Sequence, residues 1–385
     1  MKRTDLTSHL FTDGSYVLAP AIARRCVEQD SNCICYLRGT NFRRSSSDAI
    51  KANKEYYKVI PEKNQGGYLE PAFWVRSPRL SKGYLAYFCG LFFPCLSIRS
   101  ILSLVRRSKH IVIHGNALNI ATIFLMRLLG AKVVYIHWGR APHIGRFKGV
   151  LDRFSYQLYS WVFCLMSPEL RYFRPFMRRR VSVLPYPWDK ASFVDIDFSS
   201  YANRFSSKSI ILGNSAWSRD IYCKVLDRLK PSDWDKITCM LCYGRETEVD
   251  ENKKFIAKYT EKFGARFFAW NKPLPYDEYV ELMRNSAFYI CPSKSQTGLG
   301  AIATCVRQGK AIILAGDNYE WLHELGVQVV DLDALEDFSF ARLKTLVPDD
   351  NLAMKNYMAL RDAYEKKYTS SYWGFQIAQA FDGVL

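Results

Sequence analysis

The chain is short of the features that would place it across a membrane or in a disulfide scaffold. Its uncharged stretch from Gly83 to Ile98 runs sixteen residues and contains Pro94, less than the roughly 20 apolar residues a helix needs to span a bilayer. The start, Met1-Lys-Arg-Thr-Asp5, is polar and has none of the basic, apolar and cleavable regions of a secretory leader. Eleven cysteines without such a leader point to thiols in a reducing cytosol rather than to disulfides. Cys239-Met-Leu-Cys242 has zinc or redox spacing, but no second pair completes a four-ligand site. These residues, like Cys33 and Cys35, therefore read as strand cysteines. No Asp-x-Asp triplet stands where it would hold a divalent cation: Asp195-Ile-Asp197 falls between domains, and Asp331-Leu-Asp333 is far from the glycine-bearing loop. Helix-turn-helix, zinc-finger and RNA-recognition signatures are missing as well, which argues against a nucleic-acid partner.

What the chain does have is apolar content and a lopsided charge. Its 385 residues, 49% of them apolar, suit about two domains. Residues 1–190 hold 30 lysines and arginines against 11 acids, whereas 191–385 hold 24 against 26, returning the overall +17. A basic half beside a neutral one expects an anionic partner: a phospholipid surface, a phosphorylated substrate or nucleic acid. The uncharged stretch at 83–98 is flanked by Arg76, Arg79, Lys82, Arg99, Arg106, Arg107 and Lys109, a combination able to rest on anionic headgroups.

Apolar runs alternating with helical stretches predict an α/β chain with parallel sheets. Strands are expected at 33–37, 110–114, 132–136, 162–166, 181–184, 209–212, 237–242, 266–268, 288–291, 311–314 and 328–330. Helices are expected at 19–28, 119–129, 148–160 and 169–176, and from near Ser218, Asp250, Tyr276, Thr297 and Tyr319. Pro185-Tyr-Pro-Trp-Asp189 marks the joint, since paired prolines cannot continue a strand ladder. The expected domains are 1–188, a linker 189–207, and 208–385, with the last helix free to pack back on the first domain.

Open α/β sheets bind ligands at the carboxyl ends of their strands, and in the second half these ends are polar and glycine-bearing. They are Gly213-Asn214-Ser215, Tyr243-Gly244-Arg245, the loop with Lys294, Gln296, Thr297, Gly298 and Gly300, and Gly316-Asp-Asn318-Tyr-Glu320. Glycines ahead of a helix N-terminus suit a diphosphate, because backbone N–H groups and the positive dipole end then meet it. A guanidinium such as Arg245 adds a phosphate ligand. In the first half His114 and His137 end successive strands, with Trp138, Arg140 and His143 beyond. A neutral imidazole is a usual base toward a hydroxyl, and Arg140 suits an anionic acceptor. His137 is the first choice of base, ahead of His114 and Asp13.

These segments resemble a GT-B glycosyltransferase, with similarity to the bacterial TDP-N-acetylfucosamine:lipid II N-acetylfucosaminyltransferases of glycosyltransferase family 56. The resemblance rests on Ile113-His-Gly115, His137-Trp-Gly139, Ser167-Pro168, Val181 to Asp189, Ile211-Leu-Gly-Asn-Ser215, Gln296-Thr-Gly-Leu-Gly300 and Asn318-Tyr-Glu-Trp321, in family order over residues 105–335. It implies two doubly wound Rossmann-like domains facing across a cleft, acceptor at the first and sugar nucleotide, most expected as a TDP sugar, at the second. Many retaining GT-B enzymes carry glutamates at the positions of Gln296 and Thr304; their replacement here argues against that group and leaves an inverting transfer, and with helix N-termini, Arg245 and Lys294 expected to hold the leaving diphosphate in place of a metal, neither metal nor cofactor is expected. The implied acceptor is a polyprenyl-pyrophosphate-linked saccharide at the inner face of the plasma membrane, in cell-surface polysaccharide biosynthesis. A sugar-nucleotide epimerase of the same fold, and a basic nucleic-acid-binding protein, stay open as alternatives.

Overall fold

In the computed structural model the described residues are 7–11, 33–37, 96, 98–115, 118–138, 153–177, 179–185, 206–215, 219–242, 249–271, 274, 276–367 and 369–383. They divide into two compact units, Met1–Trp188 with Lys366–Leu385, and Asp189–Glu365.

The first unit is built on strands β1 (Thr7–Phe11), β2 (Cys33–Leu37), β3 (His110–Gly115), β4 (Lys132–His137), β5 (Trp161–Cys164) and β6 (Val181–Val183). All pair in parallel, in the order β2-β1-β3-β4-β5-β6. β3 and β4 are buried along almost their whole length, as expected of central parallel strands covered on both faces. Its helices include α1 (Ile98–Arg107), α2 (Ile120–Leu128) and α3 (Leu170–Met177), and residues 153–157 are helical within the expected 148–160. α2 starts where Asn119 Oδ1 accepts the N–H of Thr122 at 3.2 Å, the side-chain cap that an Asn supplies. Leu10, Leu104, Ile111, Ile113, Val133, Tyr135 and Phe173 share one core.

The second unit contains β7 (Ser209–Leu212), β8 (Lys236–Met240), β9 (Phe267–Trp270), β10 (Phe288–Cys291), β11 (Ala311–Leu314) and β12 (Val330–Asp331). Around them lie α4 (Arg219–Leu226), α5 (Val249–Phe263), α6 (Tyr276–Arg284), α7 (Leu299–Arg307), α8 (Gly316–Glu324), α9 (Phe340–Lys344) and α10 (Asp350–Lys367). The order β12-β11-β10-β7-β8-β9 is again parallel throughout. Counted from its own first strand, this is the 3-2-1-4-5-6 sequence of a doubly wound sheet, whose winding reverses between β7 and β10.

The final helix, α11 (Ser370–Asp382), belongs to the first unit. Lys132 Nζ donates to the carbonyl of Phe381 at 2.6 Å, and the Phe381 ring stacks on His110 with centroids 4.4 Å apart. Trp373 is buried against His9 and His114, 5.8 and 6.2 Å between ring centroids.

Several expectations shift. β1 was not read as a strand, because Ser8 and His9 break its apolar pattern; both are nevertheless buried. α8 begins at Gly316 rather than near Tyr319, and β8 ends at Met240, leaving Cys242 beyond it, half-buried with its thiol 3.7 Å from the carbonyl of Trp270, while Cys239 is fully buried. The helix expected at 19–28 lies outside the described residues, as does nearly all of 83–98. Among the described residues no helix is long and apolar enough to cross a membrane, and no group of three or more metal-ligating side chains is assembled.

Candidate functional site

Ligand chemistry in a doubly wound sheet is expected where the winding reverses, because the loops on the two sides part there and open a crevice. In the second unit the reversal lies between β7 and β10, so the loops concerned are 213–215 and 292–298. Gly213 donates its N–H to the carbonyl of Ile290 at 2.7 Å, holding the two strand ends together. Beyond it, the backbone N–H groups of Asn214 and Ser215 both donate to the Tyr222 hydroxyl at 3.1 Å. That hydroxyl explains the glycine: a Cβ at position 213, where φ is 65°, would sit 2.0 Å from it.

Thr297 joins three loops. Its hydroxyl donates to Asn214 Oδ1 at 3.0 Å, its carbonyl accepts from Asn318 Nδ2 at 3.0 Å, and its N–H reaches Asn318 Oδ1 at 3.4 Å. Asn318, fully buried in the first turn of α8, also approaches the Cys291 thiol at 3.7 Å, a group that burial pushes up to about 11. The bracing sets the path into Gly298, which adopts the left-handed conformation at φ 67° and precedes α7. Gly298 gives that helix no side-chain cap, so the N–H groups of its first turn face outward as donors for an anion. Gly300 has open space where a Cβ would stand. Gln296 is half-buried, and Thr304 turns its hydroxyl back to the carbonyl of Gly300 at 2.9 Å.

Lys294 meets Asp333, a residue expected to lie far from this loop. Its ammonium is on the carboxylate of Asp333, with both side chains about 60% exposed. Its backbone carbonyl accepts the N–H of Asp317 at 3.1 Å and underlies Gly316. Glu320 lies half-buried on α8. Tyr243, Gly244 and Arg245 lie outside the described residues.

In the first unit the two strand-end histidines have separate surroundings. His114 is fully buried, its Nε2 3.0 Å from His9 Nδ1. Burial, and then the neighbouring His9, hold its pKa well below the usual histidine value. It keeps the neutral form a base requires, but with no exposed surface it packs under Trp373 instead of meeting a substrate. His137 is 5% exposed and carries a polar group at each ring nitrogen: Tyr135 Oη 3.1 Å from Nδ1, and Glu169 Oε1 3.8 Å from Nε2. Trp138 follows it, half-buried. Asp13, Arg140 and His143 lie outside the described residues.

Two residues of this region carry no signal of their own in the sequence: His9 lies in a strand whose apolar pattern is broken, and Ser167-Pro168-Glu169 reads as an ordinary helix start. Glu169 is 1% exposed; its Oε2 accepts the N–H groups of Leu165 at 3.0 Å and Met166 at 3.3 Å. The Cys164 thiol registers this carboxylate, being pushed up by burial and further by the charge on Glu169.

No family model matches the chain, and no curated protein matches its sequence. Solved structures match it along nearly its whole length. Anabaena Alr3699/HepE in complex with UDP and glucose is 14% identical with a TM-score of 0.61, covering 98% of this chain and 99% of that one. A glycosyltransferase from Rickettsia africae is 10% identical at 0.58, with 98% of each chain covered. Sucrose-phosphate synthase from Thermosynechococcus elongatus is 9% identical at 0.62, again with 98% of each covered. At such identities the likeness is one of fold, and the chain has the α/β architecture of two Rossmann-like domains found in GT-B proteins.

Proposed function

We propose that this protein is a nucleotide-sugar-dependent glycosyltransferase whose second unit holds the donor. The observation that carries the reading is the bracing of three loops by Asn214, Thr297 and Asn318 at the winding reversal, which leaves the start of α7 uncapped by any side chain from Gly298. Helix N–H groups held in advance can stabilise the negative charge that grows on a departing diphosphate, since no reorganisation is then needed. The fold neighbours support the reading, as HepE was solved with UDP and glucose and the Rickettsia africae protein is a glycosyltransferase.

The finer reading is transfer of a deoxy or deoxy-amino sugar, with a TDP donor favoured, to a polyprenyl-pyrophosphate-linked saccharide. It is supported by the resemblance to the N-acetylfucosaminyltransferases and by the basic first half. Gln296 and Thr304, neither of them a carboxylate, favour inversion, and Lys294 and Arg245 are the side chains we assign to the diphosphate in place of a metal.

The test is a thermal-shift panel of TDP, UDP, GDP and CDP, because a ligand that binds only the native state raises its melting temperature. We expect a shift with at least one of them, TDP foremost. A panel in which none shifts the protein removes the donor site, and with it the transferase reading.

A further inference from the structure

The proton inventory around His137 bears on what that ring does. Tyr135 has one hydroxyl proton, and it goes to the carbonyl of Gly115 at 2.6 Å. Toward His137 Nδ1, 3.1 Å away, the phenol oxygen therefore accepts. Nδ1 must carry a hydrogen, and in a neutral ring that leaves Nε2 bare. A bare Nε2 would direct its lone pair at Glu169 Oε1, 3.8 Å away, a repulsive arrangement between groups 5% and 1% exposed. Protonating Nε2 turns the repulsion into an attraction that the low surrounding polarity strengthens, set against the desolvation of both buried groups. Glu169 is fixed for this role, because the N–H groups of Leu165 and Met166 anchor its other oxygen. Beside the pair lie the Phe173 ring, edge-on at 5.1 Å to His137, and the Cys164 thiol near Glu169; the charge of Arg174 also reaches Cys164.

We infer that Glu169 is a positioning residue that holds His137 as an imidazolium at the carboxyl end of β4. The ring is then a fixed cation, its Nδ1 at hydrogen-bond distance from Tyr135 and its buried Nε2 facing the Glu169 carboxylate at 3.8 Å, beyond hydrogen-bond reach. Resting on the reading that the first unit takes the acceptor, this makes His137 a source of positive charge at the strand ends and assigns deprotonation of the acceptor hydroxyl to another group.

Nitrogen-15 NMR of the histidine-labelled full chain reads the protonation directly, the His137 signals being identified by their loss in His137→Gln. At roughly pH 8, well above the ordinary histidine value, we expect both nitrogens of His137 to be protonated in the wild type. Glu169→Gln should return one nitrogen to the bare form at that pH, and Glu169→Asp should keep the charge. A bare Nε2 in the wild type overturns the inference, as does a Glu169→Gln spectrum identical to it. Should Glu169→Gln fail to fold, the wild-type spectrum decides alone. The nucleoside-diphosphate panel run on the same wild-type sample keeps the outcomes apart, since it reports on the second unit whichever form His137 takes.

Discussion

A single methyl group is too much at the start of α8. A Cβ on Gly316 would lie 2.3 Å from the carbonyl oxygen of Lys294 and 2.7 Å from its Cα, and φ there is 55°. Both obstacles are backbone, so no rotamer change relieves them. Gly316→Ala should therefore cost roughly 2–4 kcal/mol, from left-handed strain and overpacking together, measured by urea unfolding; a loss under about 0.5 kcal/mol would contradict the close approach. The same site holds a second prediction. An exposed ion pair contributes only about 0.2–1 kcal/mol, so a phosphate can draw Lys294 away from Asp333 at small cost. Asp333→Asn should tighten nucleoside-diphosphate binding by about two- to fivefold at low salt, in line with that range, and titration calorimetry showing weaker binding would refute it. The glycines and asparagines of this site were legible in the sequence as polar strand ends. Their joining was not: Asn214 and Asn318 meet Thr297 only because β7 and β11 flank β10.

At the scale of elements, β1 shows what a linear reading misses. Strands in the centre of both sheets are marked by unbroken apolar runs, whereas β1 carries Ser8 and His9, buried polar residues of which His9 is covered by Trp373 from the far end of the chain. Trp373 covers His9 and His114, and burial keeps His114 neutral. The sign follows from linkage. The folded form takes up this proton only well below 6.5, while the unfolded chain takes it near that value. The contribution of His114 to stability is complete above 6.5 and is lost as pH falls from there toward the depressed folded value. The melting temperature should thus drop between about pH 7.5 and pH 5, and His114→Gln, which has no such proton to bind, should flatten the drop. An identical acid slope in the two proteins would show that the buried pair does not govern it. Trp373→Ala should cost roughly 3–5 kcal/mol as a large-to-small core change.

For the molecule as a whole, the uneven charge is the property that no single site explains. The surplus of positive charge lies entirely within residues 1–190, and it includes exposed Arg106 and Arg107 at the end of α1 and exposed Arg127 on α2. On α2 the side chains of Phe124 and Leu128 are 54% and 70% exposed, one helical turn apart and flanking Arg127, and Ile98 at the start of α1 is 63% exposed. Apolar side chains set among arginines suit an anionic lipid surface, where each basic residue near the headgroups adds about 1 kcal/mol and the apolar ones insert. A lipid-linked acceptor would be met at such a surface. We expect the protein to sediment with vesicles of anionic but not neutral phospholipid, and to release as salt rises, because screening shortens the reach of the field. Replacing Arg106, Arg107 and Arg127 together by glutamine should weaken the association, while Phe124→Ser with Leu128→Ser should leave encounter intact but make release easier at moderate salt. No binding to either vesicle at low salt would remove the membrane from the proposed function and leave a soluble acceptor, while leaving the nucleotide reading of the second unit to its own test.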